Sequence, residues 1–245
     1  KAVAKDFVLA AGGLETPRLL LAAGGDNSSG LGNQHDLVGR FFMEHPHGRG
    51  GAISTTEPYR LIKVFPRSYR RNGHRFAALG RPGEALQRRE GLLNTSFTIA
   101  ARQPTDDKLA LTKSVYRSLR EELTPSKANR ALWHLNRRVL LSAREYVGPA
   151  LAWAQVKSGK AGLYVVIRAE QAPNPESRVT LGEDRDALGM RKIVLDWRFS
   201  ELDKHTVKGT MLALDRELKR LGWGRVAPST WLDEPGTLWQ TDPLI

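Results

Sequence analysis

The stretch "LYVVIRAEQAPNPESRVTLGEDRDALGMRKIVLDWRF" spans residues 163–199 and contains three extended runs: 163–171, 177–181 and 191–199. Each is rich in Val, Ile, Leu, Tyr or Phe, the residues that fit a pleated and partly buried surface. "GEDRDALGM" separates the last two by a hairpin-length connection. Strands joined so tightly run antiparallel, because a parallel pair needs a crossover of a dozen residues or more. Directly after them, "SELDKHTVKGTMLALDRELKRLG" (200–222) changes period. Val207, Met211, Leu214, Leu218 and Leu221 recur at three- and four-residue steps, the stripe of an amphipathic helix. Ser200 and Asp203 form a capping-box pattern at its start, and Gly222 stops it. An antiparallel sheet followed by a helix that must bury one face points to the α+β class.

Upstream, "YRLIKVF" (59–65) and "GLLNTSFTIAA" (91–101) also read as strands, with "RNGHR" and "GRPGE" as turns between them. A short extended piece is expected at Phe41–Glu44, broken at Pro46. The region 111–157 has helical apolar spacing, with breaks at Thr124-Pro125 and near Gly148-Pro149, so it reads as a helical pair or trio. Between residues 111 and 160 ten lysines and arginines stand against three acids. The resulting expectation is one largely antiparallel sheet of about five or six strands with helices on one face.

The N-terminal stretch "FVLAAGGLETPRLLLAAGG" (7–25) has a different character. Asp6 to Ala10 suits a short buried parallel strand bounded by glycines, and the helical spacing that follows ends at Gly24 and Gly25. Thr16 is expected to cap this helix, with Pro17 at its first position. A strand, a small-residue bend and a helix start allow a ligand to approach the backbone near free N–H groups.

Composition narrows the functional classes. The 245 residues include no cysteine, which excludes disulfides, thiolate metal sites and cysteine nucleophiles. No run of about 18 apolar residues is present to span a bilayer. "KAVAKDFVLAA" lacks the form of a signal peptide, and a cytoplasmic or membrane-peripheral location is the expectation. The net charge of +12 has no nucleic-acid motif beside it, so a solvated basic surface is the first reading. An anionic membrane surface is the second and nucleic acid the least favoured.

"AAGGLETPRLLL" followed by "GLGNQHDLVGRFFMEHPH" resembles the glucose–methanol–choline (GMC) oxidoreductases, flavoenzymes that use FAD. "EQAPNPESRVTLGEDRDALGM" (170–190), "IVLDWRFSELDK" (193–204) and the helix to Gly222 are similar, in the same order, to the substrate domain of bacterial sugar and alcohol oxidoreductases of that family. Gly13 and Ala23 stand where the family signature usually has a small non-glycine residue and a serine. The resemblance implies oxidation of an alcohol group, on a sugar or glycoside, by hydride transfer to flavin. It also implies a partition: residues 1–36 as a βα remnant of an FAD-binding domain, and 37–245 as the substrate-binding domain with the basic insertion at about 111–157.

The family's glycine-rich pyrophosphate loop and its catalytic histidine are expected outside this chain. The chain alone is therefore expected to be inactive and to bind no FAD by itself. The remainder of the flavoenzyme, or a partner subunit, would complete it. No catalytic residue and no metal ligand is assigned here; none of the six histidines sits in the family's catalytic context.

The resemblance places Ala11, Gly12 and Gly13 beside the adenosine part of FAD, and Arg168, Glu170 and Gln171 in the wall that faces a sugar. Alternation along a strand puts Arg168 and Glu170 on one face, and Asn94 and Ser96 likewise on theirs. Each has a plainer structural reading, as an ion pair or sheet contact. Glu15 reads as an acid favoured at a helix start. His45 and His47 form an i, i+2 pair without an evident third ligand, near the cofactor by resemblance. Trp133, Trp153 and Trp197 read as packing residues, and Arg178 as structural. The rival to an enzyme is a non-catalytic subunit or binding module that docks through the basic helices.

Overall fold

The computed structural model describes residues 3–24, 29–65, 69–102, 147–236 and 239. In chain order the elements are α1 (Gly12–Ala22), β1 (His47–Ser54), α2 (Pro58–Val64), β2 (Tyr69–Arg71), β3 (His74–Phe76), α3 (Glu84–Glu90), β4 (Thr95–Arg102), β5 (Gly162–Ala169), β6 (Arg178–Arg185), β7 (Arg191–Asp196), α4 (Glu201–Arg220) and β8 (Arg225–Pro228). Residues 147–157 are also helical, and a short 3-10 turn covers Thr230–Leu232. The chain forms two compact units, one of residues 45–170 with 202–245 and the other of 1–44 with 171–201. Helices combine with antiparallel sheets throughout, an α+β architecture.

The first unit is built on a four-stranded sheet of order β4-β5-β1-β8. Every neighbouring pair in it is antiparallel. Strand alternation sends Phe97 and Ile99 of β4, Leu163, Val165 and Ile167 of β5, Ile53 of β1 and Val226 of β8 to one side. There they meet Leu61 and Ile62 of α2 and Val207, Met211 and Leu218 of α4 in one core. The register slips between Arg49 and Gly51, leaving Gly50 as the extra residue. A Cβ there would come within 3.0 Å of the Met211 sulfur and 3.1 Å of Ile167, so the bulge brings α4 close against the strand. Gly222, at φ 67°, ends the helix in the left-handed conformation that suits a C-terminal cap.

The second unit carries the β6–β7 hairpin and α1. Asp186 closes the hairpin turn, its carboxylate accepting from the Leu188 and Met190 N–H groups at 2.9 and 3.0 Å. Arg18 of α1 reaches the same carboxylate at 2.7 Å. The loop before the hairpin runs beside β6: Val179 N–H donates to Gly39 carbonyl and Phe42 N–H to Ser177 carbonyl, each at 2.8 Å.

Several sequence expectations are corrected. Residues 6–10 form no strand, and Phe7, Val8 and Leu9 are exposed. A parallel strand needs neighbours on both sides, and among the described residues none pairs with this run. Helix α1 begins at Gly12, not after Thr16, and Pro17 lies within it. Residues 58–64 are helical: Pro58 occupies the first turn, Leu61 and Ile62 enter the core, and Phe65, just past the helix, packs against it. So short an apolar run carries either period, and the proline decides it.

"GRPGE" opens α3, capped by Gly91 at φ 63°, so β4 begins only at Thr95. The extended piece expected at Phe41–Glu44 is irregular, and the strand starts after Pro46. β8 lies after Gly222, where no element is expected from the sequence. Instead of one sheet of five or six strands, the described residues form four strands in the main sheet and two separate two-stranded hairpins. The helices expected at 111–146, the break at Thr124-Pro125 and Trp133 lie outside the described residues. No described helix is long and apolar enough to cross a membrane.

Candidate functional site

The sheet face opposite the core is polar where strand ends meet. Arg168 of β5 pairs in register with Ser96 of β4 on one side and His47 of β1 on the other. Paired residues share a face, so Ser96, Arg168 and His47 form one cross-strand row. Arg168 is exposed, while its main-chain carbonyl accepts from the Thr95 hydroxyl at 3.1 Å. The next row places Thr98, Val166 and Arg49 together, and the Arg49 guanidinium lies 4.7 Å from the centre of the Tyr164 ring. Guanidinium, imidazole and hydroxyl groups on a rigid sheet are the donors and acceptors a polyhydroxylated ligand would use.

Glu170 lies one residue beyond β5. Its carboxylate accepts from the Asn94 N–H at 2.9 Å, and its own N–H donates to the Asn94 carbonyl at the same distance. The two bonds join the end of β5 to the start of β4 and leave the second carboxylate oxygen at the sheet edge. Asn94 thus meets Glu170 through its backbone, while its side-chain carbonyl accepts from the Gln87 amide at 3.4 Å and Ser96 joins the row that Arg168 occupies. Gln171 belongs to the second unit and is buried. Its side-chain carbonyl accepts from the Trp197 indole at 2.8 Å, and its amide nitrogen donates to the Arg198 carbonyl at 2.7 Å. That amide ties the segment before β6 to the one after β7.

At the N-terminus of α1, Ala11, Gly12 and Gly13 are exposed. Gly12 adopts φ 87°, and a Cβ built on either glycine would meet nothing within 4 Å. A ligand can therefore reach the first-turn backbone from open space. Ala11 N–H is already held by the Thr16 hydroxyl at 3.2 Å, which leaves the amides of Gly12, Gly13 and Leu14 as the first-turn donors. Small residues and unblocked amides are what the close approach of any ligand to a helix start needs. Glu15 accepts from Arg18 at 3.2 Å within the same helix.

The loop from Asn33 to Phe42 has no counterpart among the residues singled out from sequence. Asp36 and Phe41 hold left-handed backbone, at φ 53° and 58°. For a bulky residue such as Phe41 this conformation costs about 1–2 kcal/mol. Ser177 offsets it by donating its hydroxyl to the Phe42 carbonyl at 2.8 Å. Arg178 and Arg40 both pair with Asp36, and Arg40 also reaches Glu176 at 3.0 Å. Those guanidiniums, Arg178 first, hold the Asp36 carboxyl below its usual range. Arg178 is thereby structural. Only coordinates reveal the strain, because "HDLVGRFF" carries no glycine at Asp36 or Phe41 to signal it.

Elsewhere, His45 is exposed and His47 lies on β1. Among the described residues no three His, Asp or Glu side chains gather as metal ligands. Trp197 packs edge-on against Phe42, ring centres 6.1 Å apart.

No protein-family model matches the chain. A 59-residue segment is 52% identical to the fructose dehydrogenase large subunit of Gluconobacter japonicus, covering 24% of this chain and 11% of that protein. The chain is thus similar over a short segment to an oxidoreductase subunit, and it spans a small part of that relative's length.

Proposed function

We propose that this chain is part of an FAD-dependent oxidoreductase of the GMC type that oxidises an alcohol group of a sugar or glycoside. The observation that carries the reading is the 52% identity to a fructose dehydrogenase subunit. Collinear resemblance of the N-terminal bend, the 170–190 hairpin and α4 to GMC flavoenzymes supports it. In this reading residues 1–36 belong to the cofactor side and residues 37–245 to the substrate domain. The relative is named as a subunit, and the working assembly would likewise include further polypeptide.

The residues have distinct roles in the proposal. Ala11, Gly12 and Gly13 keep the start of α1 open to the adenosine half of FAD. Bound FAD supplies the hydride acceptor that protein side chains lack. Arg168 orients a sugar hydroxyl by donation, Glu170 accepts from a neighbouring one, and Gln171 holds the chain that leaves the wall. No general base is assigned within this chain.

The test is a redox measurement on the protein that contains this chain. It should show flavin absorbance, bleached when fructose or a related sugar is added without an electron acceptor. Arg168→Ala should raise KM at least about tenfold while leaving the flavin spectrum unchanged, since one charged hydrogen bond to substrate is worth about 1.5–3 kcal/mol. Absence of flavin, or flavin that no sugar or alcohol reduces, would refute the reading.

A further inference from the structure

We propose a second binding surface on the 45–170/202–245 unit: a basic aromatic groove that docks the protein on an anionic phospholipid bilayer. It does not depend on the redox reading. The groove lies where α2 meets the helix at 147–157, lined by Thr56, Pro58, Tyr59, Arg60, Lys63 and Trp153. Tyr59 and Lys63 are an i, i+4 pair on α2, and Trp153 and Lys157 are another on the neighbouring helix, spacings that put each pair on one helical face.

Both rings are accessible, Tyr59 at 46% and Trp153 at 36%. The Lys157 ammonium lies 5.0 Å from the Trp153 ring centre, and the Arg60 guanidinium 4.5 Å from that of Trp223. Lys63 and Lys157 have no carboxylate partner among the described residues. The acid at the groove, Glu57, is taken by Arg60 at 3.7 Å. Among the described residues the local charge is therefore positive.

The chemistry selects the occupant. Tyr and Trp, apolar in body and polar at the tip, settle at the bilayer interface, where flexible lysine stems reach lipid phosphates. The same helix adds exposed Val147, Ala150 and Ala154 on its outward side. The groove is lined by the first turn of α2, the two residues before it and the neighbouring helix, so it offers no strand edge to a peptide. Exposed rings, small apolar residues and unpaired lysines together match the surface of an anionic membrane.

The experiment is vesicle co-sedimentation of the full chain with phosphatidylcholine vesicles, with and without 30% phosphatidylglycerol (about 30 mol%, enough to set a negative surface potential). Binding is expected only to the anionic vesicles, released by about 0.5 M salt. Lys63→Ala with Lys157→Ala should weaken it roughly 25-fold, about fivefold per lysine. Trp153→Ala should weaken it further, and the Lys→Arg pair should retain it. Far-ultraviolet circular dichroism checks that each variant stays folded. Equal binding to neutral vesicles, undiminished binding by the double alanine variant, or binding to a soluble poly-glutamate probe but not to vesicles would each overturn the proposal.

Discussion

Asp215 is a firmly anchored carboxylate. It is buried on α4, and its oxygens accept from Lys219 at 2.8 Å, Arg225 at 2.9 Å and the Val226 N–H at 2.9 Å. The bond from Lys219, followed by that from the Val226 amide, holds its pKa far below the usual 3.8. A carboxyl whose folded value is depressed stabilises the fold above its unfolded value, and that contribution fades as pH falls towards the folded value. Asp215→Asn should therefore cost stability by a constant amount from about pH 5 upward, and the gap to the native protein should close below about pH 4. Urea unfolding across a pH series measures it; a gap that widens in acid would contradict the assignment. The bond to Val226 also joins α4 to β8, so the same variant should loosen the sheet's edge strand.

Among elements, those with a full period were legible in the sequence and those without one were not. α4 has five apolar positions on one stripe and a glycine stop, and β5, β6 and β7 alternate over enough residues to show their faces. α2 has only seven residues, and its apolar run fits a strand until Pro58 is weighed as a first-turn residue. β8 has four residues and one buried apolar side chain, Val226, which is too little signal for any pattern. In the candidate site, Arg168 could be placed on a strand face from alternation. That Ser96 and His47 stand beside it could not be read, because register between distant strands is not written in local spacing. The packing of α4 itself is testable. Met211 is wholly buried and fills the space above the Gly50 bulge. Met211→Ala should lower stability by about 2–5 kcal/mol in urea or guanidinium unfolding. A loss below about 1 kcal/mol would mean that α4 does not pack there.

At the scale of the whole molecule, apolar burial is uneven between the two units. Nearly every buried hydrophobic side chain belongs to the 45–170/202–245 unit. In the 1–44/171–201 unit Val179 alone among the described residues is one. That unit also exposes Phe7, Val8, Leu9, Leu31 and Leu37. A body of its size needs a buried core to repay the entropy of ordering its chain, and its hydrogen bonds and ion pairs supply less than such a core. Apolar surface of this kind is what a unit presents when further polypeptide covers it. Local opening should be cheap in this unit and costly in the other. Native-state hydrogen exchange should find the slowest amides in β5 and in the Val207–Met211 turn of α4. The amides of α1 and the β6–β7 hairpin should exchange at least about a hundredfold faster, a gap of about 3 kcal/mol in opening free energy. Equal protection in the two units would show that the smaller one is stabilised by something other than its own packing, and would remove the argument that it is built to be covered.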